Sequence, residues 1–327
     1  MSAARKILLA LVIVVILFLL LLIAGALTYK PAFEIKGIGI VDHDGYPCFK
    51  IPFKTSNYPV TFRLLTKDGE LIDTYVADKP EEVVYLHLTP FKPFTNVIGP
   101  KSYVIKAFYG DKEVYSSSFD VKGAKADLKI KDVSFNTSIF SLDLRKLTLE
   151  VRNEGDVPLY LTLIPINIEL YLDGLHEAFA PYPSSLAIEP GNTSSLSLEP
   201  VALAIDPNYL DKEHRVDVVI PNVTRTSYII EPLKPELRIE KVGLSPFLDK
   251  WSLNNITLII SNRGKYPINI RWLKIYVNEE LNALWTPSIE VIGPGEEKKV
   301  ILSLAAITSR PFTLKVKLGA TEVSYSG

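Results

Sequence analysis

Along most of the chain, apolar and polar residues alternate with a period of two. LTLEV at 147–151 sets Leu147, Leu149 and Val151 on one side, and ITLII at 256–260 repeats the spacing with Ile256, Leu258 and Ile260. Successive side chains of a strand point to opposite faces, so this pattern predicts strands with one buried face. One segment departs from it. Residues 7–26, ILLALVIVVILFLLLLIAGA, are apolar throughout and carry no charge. In helix they would span about 30 Å, the thickness of a bilayer's hydrocarbon core.

The alternating segments recur in a fixed order. LRIEKVGL at 237–244 repeats LKIKDVSF at 128–135 and FEIKGIGI at 33–40. In each, the large apolar positions (Phe33 and Ile35, Leu128 and Ile130, Leu237 and Ile239) fall on one face, which predicts a first strand docking on its own core. Two later strands lead into Asn153-Glu-Gly155-x-x-Pro158 and Asn262-Arg-Gly264-x-x-Pro267, with Asn57-Tyr58-Pro59 as the shorter counterpart in the first copy. Asn and Gly tolerate positive φ and Pro fixes its own, so the motif predicts a turn between strands rather than a ligand loop. LYLDG (170–174) and IYVNE (275–279) follow. A third marker begins at Ile98, Ile188 and Ile292, each with Pro two residues on. Closing hairpins turn at Gly110-Asp111, Pro221-Asn222 and Gly319-Ala320.

Each copy thus holds about seven short strands with turn signals every 8–12 residues, the pattern expected of an immunoglobulin-like sandwich. The predicted fold is all-β: one N-terminal transmembrane helix, then three tandem immunoglobulin-like β-sandwich domains. The expected divisions are 1–29 (cytoplasmic stub and anchor), 30–123, 124–232 and 233–327. The joints fall at 121–125 and 231–235, and the proline-bearing second one reads as stiff.

Arg5 and Lys6 precede the apolar run, which places the N-terminus in the cytoplasm and the modules outside. A cleaved signal peptide ending near Ala24-Gly25-Ala26 is the rival reading, and a processed pilin-type leader a third. The run exceeds the 7–15 residues or so of a signal peptide's apolar region, which favours the anchor. Asn136, Asn192, Asn222 and Asn255 each begin an N-x-S/T sequon, expected near strand ends or turns, and are the glycosylation candidates.

Composition narrows function mainly by exclusion. The formal net charge of −1, with both signs mixed along the chain, gives no basic face for nucleic acid. Cys48 is the only cysteine, which rules out an intrachain disulfide and a cysteine zinc cluster. A single methionine, no glutamine and abundant Glu, Lys and Ile fit a thermophile. His43, His87, His176 and His214 show no metal-ligand spacing. Asp42-His43-Asp44-Gly45 reads as a turn, and Asp206, Asp211 and Glu213 as a solvated acidic loop with a short helical turn nearby. No cofactor, metal or catalytic residue is expected. Phe91, Phe94 and Trp285 are the candidates for an exposed contact patch, because apolar side chains grouped on a surface mark interfaces.

The strand–Asn-x-Gly–Pro–strand pattern, with Leu/Ile-Tyr-Leu/Val-Asp/Asn and Ile-x-Pro-Gly after it, resembles two groups. One is the late-embryogenesis-abundant type 2 (water-stress, WHy) domain. The other is the adhesion-type, CARDB-like immunoglobulin module of archaeal surface proteins. The resemblance covers copies two and three and part of copy one. It implies non-catalytic β-sandwich modules in surface or interaction roles. Together these features predict a single-pass membrane protein with extracellular domains, structural or adhesive in role. Its expected partners are the membrane, through residues 7–26, and a cell-surface or membrane protein. The alternatives are an accessory subunit of a pilus, secretion or transport machine, and a surface protein binding a small ligand, lipid or glycan.

Overall fold

The computed structural model describes residues 12–20, 33–164, 166–282, 285–288 and 290–327. Residues 12–20 are helical; the rest of the run expected to cross a membrane, 7–11 and 21–26, lies outside the described residues. Among the described residues no helix is long and apolar enough to cross a membrane. From Phe33 onward strands dominate, as the period-two alternation predicts. By compactness the chain divides in two: Met1–Pro93 with Pro100–Val121, and Phe94–Gly99 with Lys122–Gly327. The expected joint at 231–235 lies inside the second unit.

The first unit contains β1 (Phe33–Ile35), β2 (Gly39–His43), β3 (Tyr46–Thr55), β4 (Val60–Thr66), β5 (Leu71–Ala77), β6 (Glu81–His87), β7 (Lys101–Tyr109) and β8 (Lys112–Val121). β3 pairs with β1, β2 and β6; the facing sheet runs β5-β4-β7-β8. Asp44 and Gly45, both at positive φ, close the β2–β3 turn, as two-residue hairpins require. Phe53 and Phe62 meet across the two sheets with ring centroids 4.9 Å apart, and Ile51, Leu64, Leu86 and Ile105 are fully buried around them.

The second unit carries that strand order twice. The first set holds β9 (Ala126–Thr137), β10 (Leu142–Asn153), β11 (Leu159–Thr162), β12 (Glu169–Leu172), β13 (Leu175–Glu177), β14 (Phe179–Tyr182), β15 (Ser185–Ile188), β16 (Thr193–Pro200), β17 (Ala204–Ile205), β18 (His214–Ile220) and β19 (Thr224–Ile230). The second holds β20 (Pro235–Phe247), β21 (Lys250–Asn262), β22 (Ile268–Asn269), β23 (Lys274–Val277), β24 (Glu280–Asn282), β25 (Trp285–Pro287), β26 (Val291–Ile292), β27 (Glu297–Thr308), β28 (Thr313–Leu318) and β29 (Thr321–Ser326). β10 and β21 are central, each flanked by its first strand (β9, β20) and by β16 or β27. The facing sheets run β13-β12-β18-β19 and β24-β23-β28-β29. This is an immunoglobulin-like β-sandwich arrangement. The recurring octapeptide is therefore part of one edge strand in copies two and three, and in copy one is split between β1 and the start of β2, with its large apolar positions turned inward and its charges outward. Buried side chains of the two sets, from Leu128 to Leu318, form one continuous core.

The Asn-x-Gly-x-x-Pro motif is a buried staple. Asn153 is fully buried; its Nδ2 donates to the carbonyls of Val157 and Ile188, both at 2.8 Å, and its Oδ1 accepts from the Gly155 N–H at 2.9 Å. Asn262 repeats this with Tyr266 at 2.7 Å, Ile292 at 3.2 Å and Gly264 at 3.0 Å. The amide thus ties the β10–β11 and β21–β22 turns to the ends of β15 and β26, so Ile188 and Ile292 matter through their carbonyls. Gly155 sits where a Cβ would lie 2.4 Å from the Gly123 carbonyl, whereas at Gly264 the nearest atom is 3.4 Å away.

Copy one differs from the sequence alignment in two places. Thr55, not Asn57, occupies the staple position: its N–H donates to the Pro80 carbonyl at 2.7 Å and its Oγ1 accepts from the Asn57 N–H at 3.2 Å. Asn153 and Asn262 make the matching backbone bonds to Asn192 and Glu296. The marker at Ile98 precedes β7, whereas those at Ile188 and Ile292 precede β16 and β27. Its counterpart in copy one is the loop at Pro80, just before β6.

Candidate functional site

The three residues expected to form a contact patch fall in different settings. Phe91 is 90% exposed in the first unit. Phe94 belongs to the second, where its ring meets Tyr160 edge-on at 5.9 Å and its carbonyl accepts from Asn167 Nδ2 at 2.8 Å. Asn96 completes that anchorage with paired bonds to the Tyr160 backbone, at 2.8 and 3.1 Å. Trp285, expected on a loop, lies in β25 against the core, with the Arg271 guanidinium 5.8 Å from its ring. A loop-like sequence hid a strand here because β25 is three residues long.

The sequon residues separate by environment. Asn192 and Asn222 are exposed on turns, and Asn222 takes the left-handed φ of 59° that its residue type favours. Asn136 is exposed near the end of β9. Asn255 departs from the expected turn placement: it lies within β21, half-buried, its side chain over Gly243 so closely that a Cβ there would sit 2.5 Å from Oδ1.

One titratable cluster in the first unit has triad-like residue types. Cys48 lies directly opposite His87, whose Nδ1 is 2.8 Å from Asp73 Oδ2. The chemistry is wrong for a nucleophile. Cys48 is fully buried and its S–H donates to the Tyr46 carbonyl at 3.3 Å. Burial, then the charges of Asp42, Asp73 and Asp44, push its thiol up to about 12. A catalytic thiolate needs the opposite surroundings. Among the described residues no three His, Cys, Asp or Glu side chains converge as a metal site.

The joint at 231–235 and the contact between the two halves of the second unit are more elaborate. The Glu231 N–H donates to Tyr266 Oη at 3.1 Å, and its carboxylate pairs with Lys234 at 2.8 Å and with Lys265. Hydrogen bonds from Lys234 and Lys265 hold that carboxyl down at about 2. Burial drives the Tyr266 hydroxyl above its ordinary range. The Phe135 ring packs edge-on against Tyr266 at 4.7 Å. Trp272 Nε1 donates to the Ser138 carbonyl at 3.0 Å, and Lys274 Nζ to Asn208 Oδ1 at 2.5 Å. Asp206 caps the Pro207–Tyr209 3-10 turn through the Asn208 N–H, the short helical turn expected near there. Between these contacts opens a cleft of about 300 Å³ reaching from Phe140 to Lys317. Nothing in the sequence signalled it, because its walls come from four separate segments spread between Ile139 and Gly319.

No family model matches the chain, and no curated protein matches it. Among solved structures it is similar to the Escherichia coli chaperone DraB, at 15% identity over 62% of this chain and 96% of that one, TM-score 0.22. It is also similar to a portion of native alpha-2-macroglobulin from Escherichia coli, at 9% identity over 90% and 96%, TM-score 0.24. A marsupial T cell receptor follows at 10% identity over 91% and 99%, TM-score 0.18. At these TM-scores none of them bears on what this chain does.

Proposed function

We propose that the chain is a membrane-anchored surface protein of structural or adhesive type. Residues 7–26 form the anchor, Arg5 and Lys6 keep the N-terminus cytoplasmic, and modules 30–123, 124–232 and 233–327 lie outside. The third module meets the partner, a cell-surface protein. The observation that carries this reading is the tip of the β20–β21 hairpin. Leu248 is 91% exposed there and Phe247 48%. The β9–β10 hairpin, matched to it strand for strand, uses the same part of its tip, at Ser138, to engage the following set of sheets. An apolar tip exposed in this way among the described residues suits a contact surface.

The test is made on intact cells. External protease should digest the modules from residue 30 onward, and the double substitution Phe247→Ser with Leu248→Asp should abolish crosslinking to the surface partner while leaving export unchanged. Full protection from protease overturns the surface placement. Unchanged crosslinking overturns the role of the tip. If replacing residues 7–26 by an unrelated apolar span dissolves a stoichiometric membrane complex, a machine subunit is the better description.

A further inference from the structure

The cleft between the two halves of the second unit shares no residue with the β20–β21 tip, and its walls combine three kinds of side chain. The first kind is cationic. Lys274 and Lys317 stand directly opposite each other on β23 and β28, and Arg271 lies beside them on the same wall. Like charges in a directly opposed cross-strand pair are unfavourable. None of the three forms an ion pair among the described residues: Lys274 is held only by the neutral Asn208 amide, and Arg271 leans on Trp285. The second kind is acidic. Asp206 and Asp211 line the same cleft, also without an ion pair among the described residues. The third kind is apolar: Phe140 stands at the lip, 76% exposed.

We propose that this cleft binds an acidic sugar, a uronate unit of a surface glycan. The Lys274–Lys317 pair and Arg271 take the sugar carboxylate, relieving the repulsion between the two ammonium groups. Asp206 and Asp211 accept hydrogen bonds from ring hydroxyls. Phe140 supplies a flat apolar surface for the C–H face of the ring. The combination selects among anions. A polyphosphate would meet the two carboxylates, and a plain apolar acid has no hydroxyls to satisfy them. The volume of about 300 Å³ lies at the lower end of small-ligand sites.

The test uses the full chain in detergent and trigalacturonate as probe, followed by tryptophan fluorescence, since Trp272 forms the cleft floor. Saturable binding is expected, weakened about tenfold by Lys317→Gln, the loss of one charge-assisted bond. Phe140→Ser should weaken it comparably, and because both side chains are exposed neither substitution should lower the thermal transition. Maltotriose, the neutral trisaccharide, should bind at least tenfold more weakly. Equal affinity for maltotriose overturns the proposal, as does indifference to both substitutions. Displacement by inorganic phosphate at equal concentration would reduce the cleft to a general anion site and equally overturn it.

Discussion

The staple position is filled by asparagine in the second unit and by threonine in the first, and the difference shows what the fold asks of that position. In all three copies the residue ends the central strand, donates its backbone N–H to the loop before β6, β16 or β27, and offers a side-chain oxygen to the N–H two residues on. Those two bonds are the shared requirement. Asn153 and Asn262 also donate to two carbonyls across the turn, and Thr55 donates only to the nearby Asn57 carbonyl, at 2.9 Å. The longer turn of copies two and three explains this. Its residues would leave buried carbonyls unpaired, and a primary amide is the small side chain with both an acceptor and two donors. In copy one β4 begins at Val60, five residues after Thr55, and a hydroxyl suffices.

The largest effect that tests this contrast is Asn153→Asp. It keeps the bond to Gly155 but aims a buried carboxylate at two carbonyls, and should cost about 4 kcal/mol, comparable to breaking a buried charged network. Asn153→Ala, which orphans three groups, should cost about 3 kcal/mol. Trp251, Trp272 and Trp285 all lie in the second unit, so denaturant unfolding followed by tryptophan fluorescence reads these variants directly. Gly155→Ala comes next, at about 2 kcal/mol from overpacking against Gly123. Gly264→Ala, with its nearest neighbour at 3.4 Å, should change stability by less than half as much; equal costs would show that the two turns are not packed differently. Thr55→Val should cost about 1 kcal/mol, one ordinary hydrogen bond, read by circular dichroism of the first unit's transition.

The smallest effect is acid sensitivity at the 231–235 joint. The Glu231 carboxyl is held at about 2, below the ordinary 4.5. Its contribution is therefore fully present above about pH 4.5 and fades as pH falls towards 2. The group is exposed, so added salt should shrink the effect. Glu231→Gln should flatten the stability profile of the second unit across that window, and an unchanged profile would place the acid sensitivity elsewhere.

Much of this was legible in the chain. Period-two alternation gave the strands, and Gly110, Asn222 and Gly319 marked real hairpin turns, because turn chemistry is local. The staple was legible as a turn but not as a buried network, since its acceptors at Ile188 and Ile292 are 35 and 30 residues away. Copy one misled because Asn57 and Pro59 imitate the motif while Thr55 performs the task. Phe94 could not be assigned from sequence at all: it reads as part of the first copy, yet its partners, Tyr160 and Asn167, lie in the second. The cleft was equally hidden, being formed only when Phe140 and Lys317 are brought to one place.

The continuous core of the second unit has a mechanical meaning. Modules with separate cores yield one at a time when a chain is stretched, each lengthening the tether by its own contour and dissipating load in steps. Side chains from Leu128 to Leu318 that share one core have no such intermediate stop. Residues 122–327 are therefore expected to yield under tension in one step rather than two, which stretching the full chain would show as a single long extension.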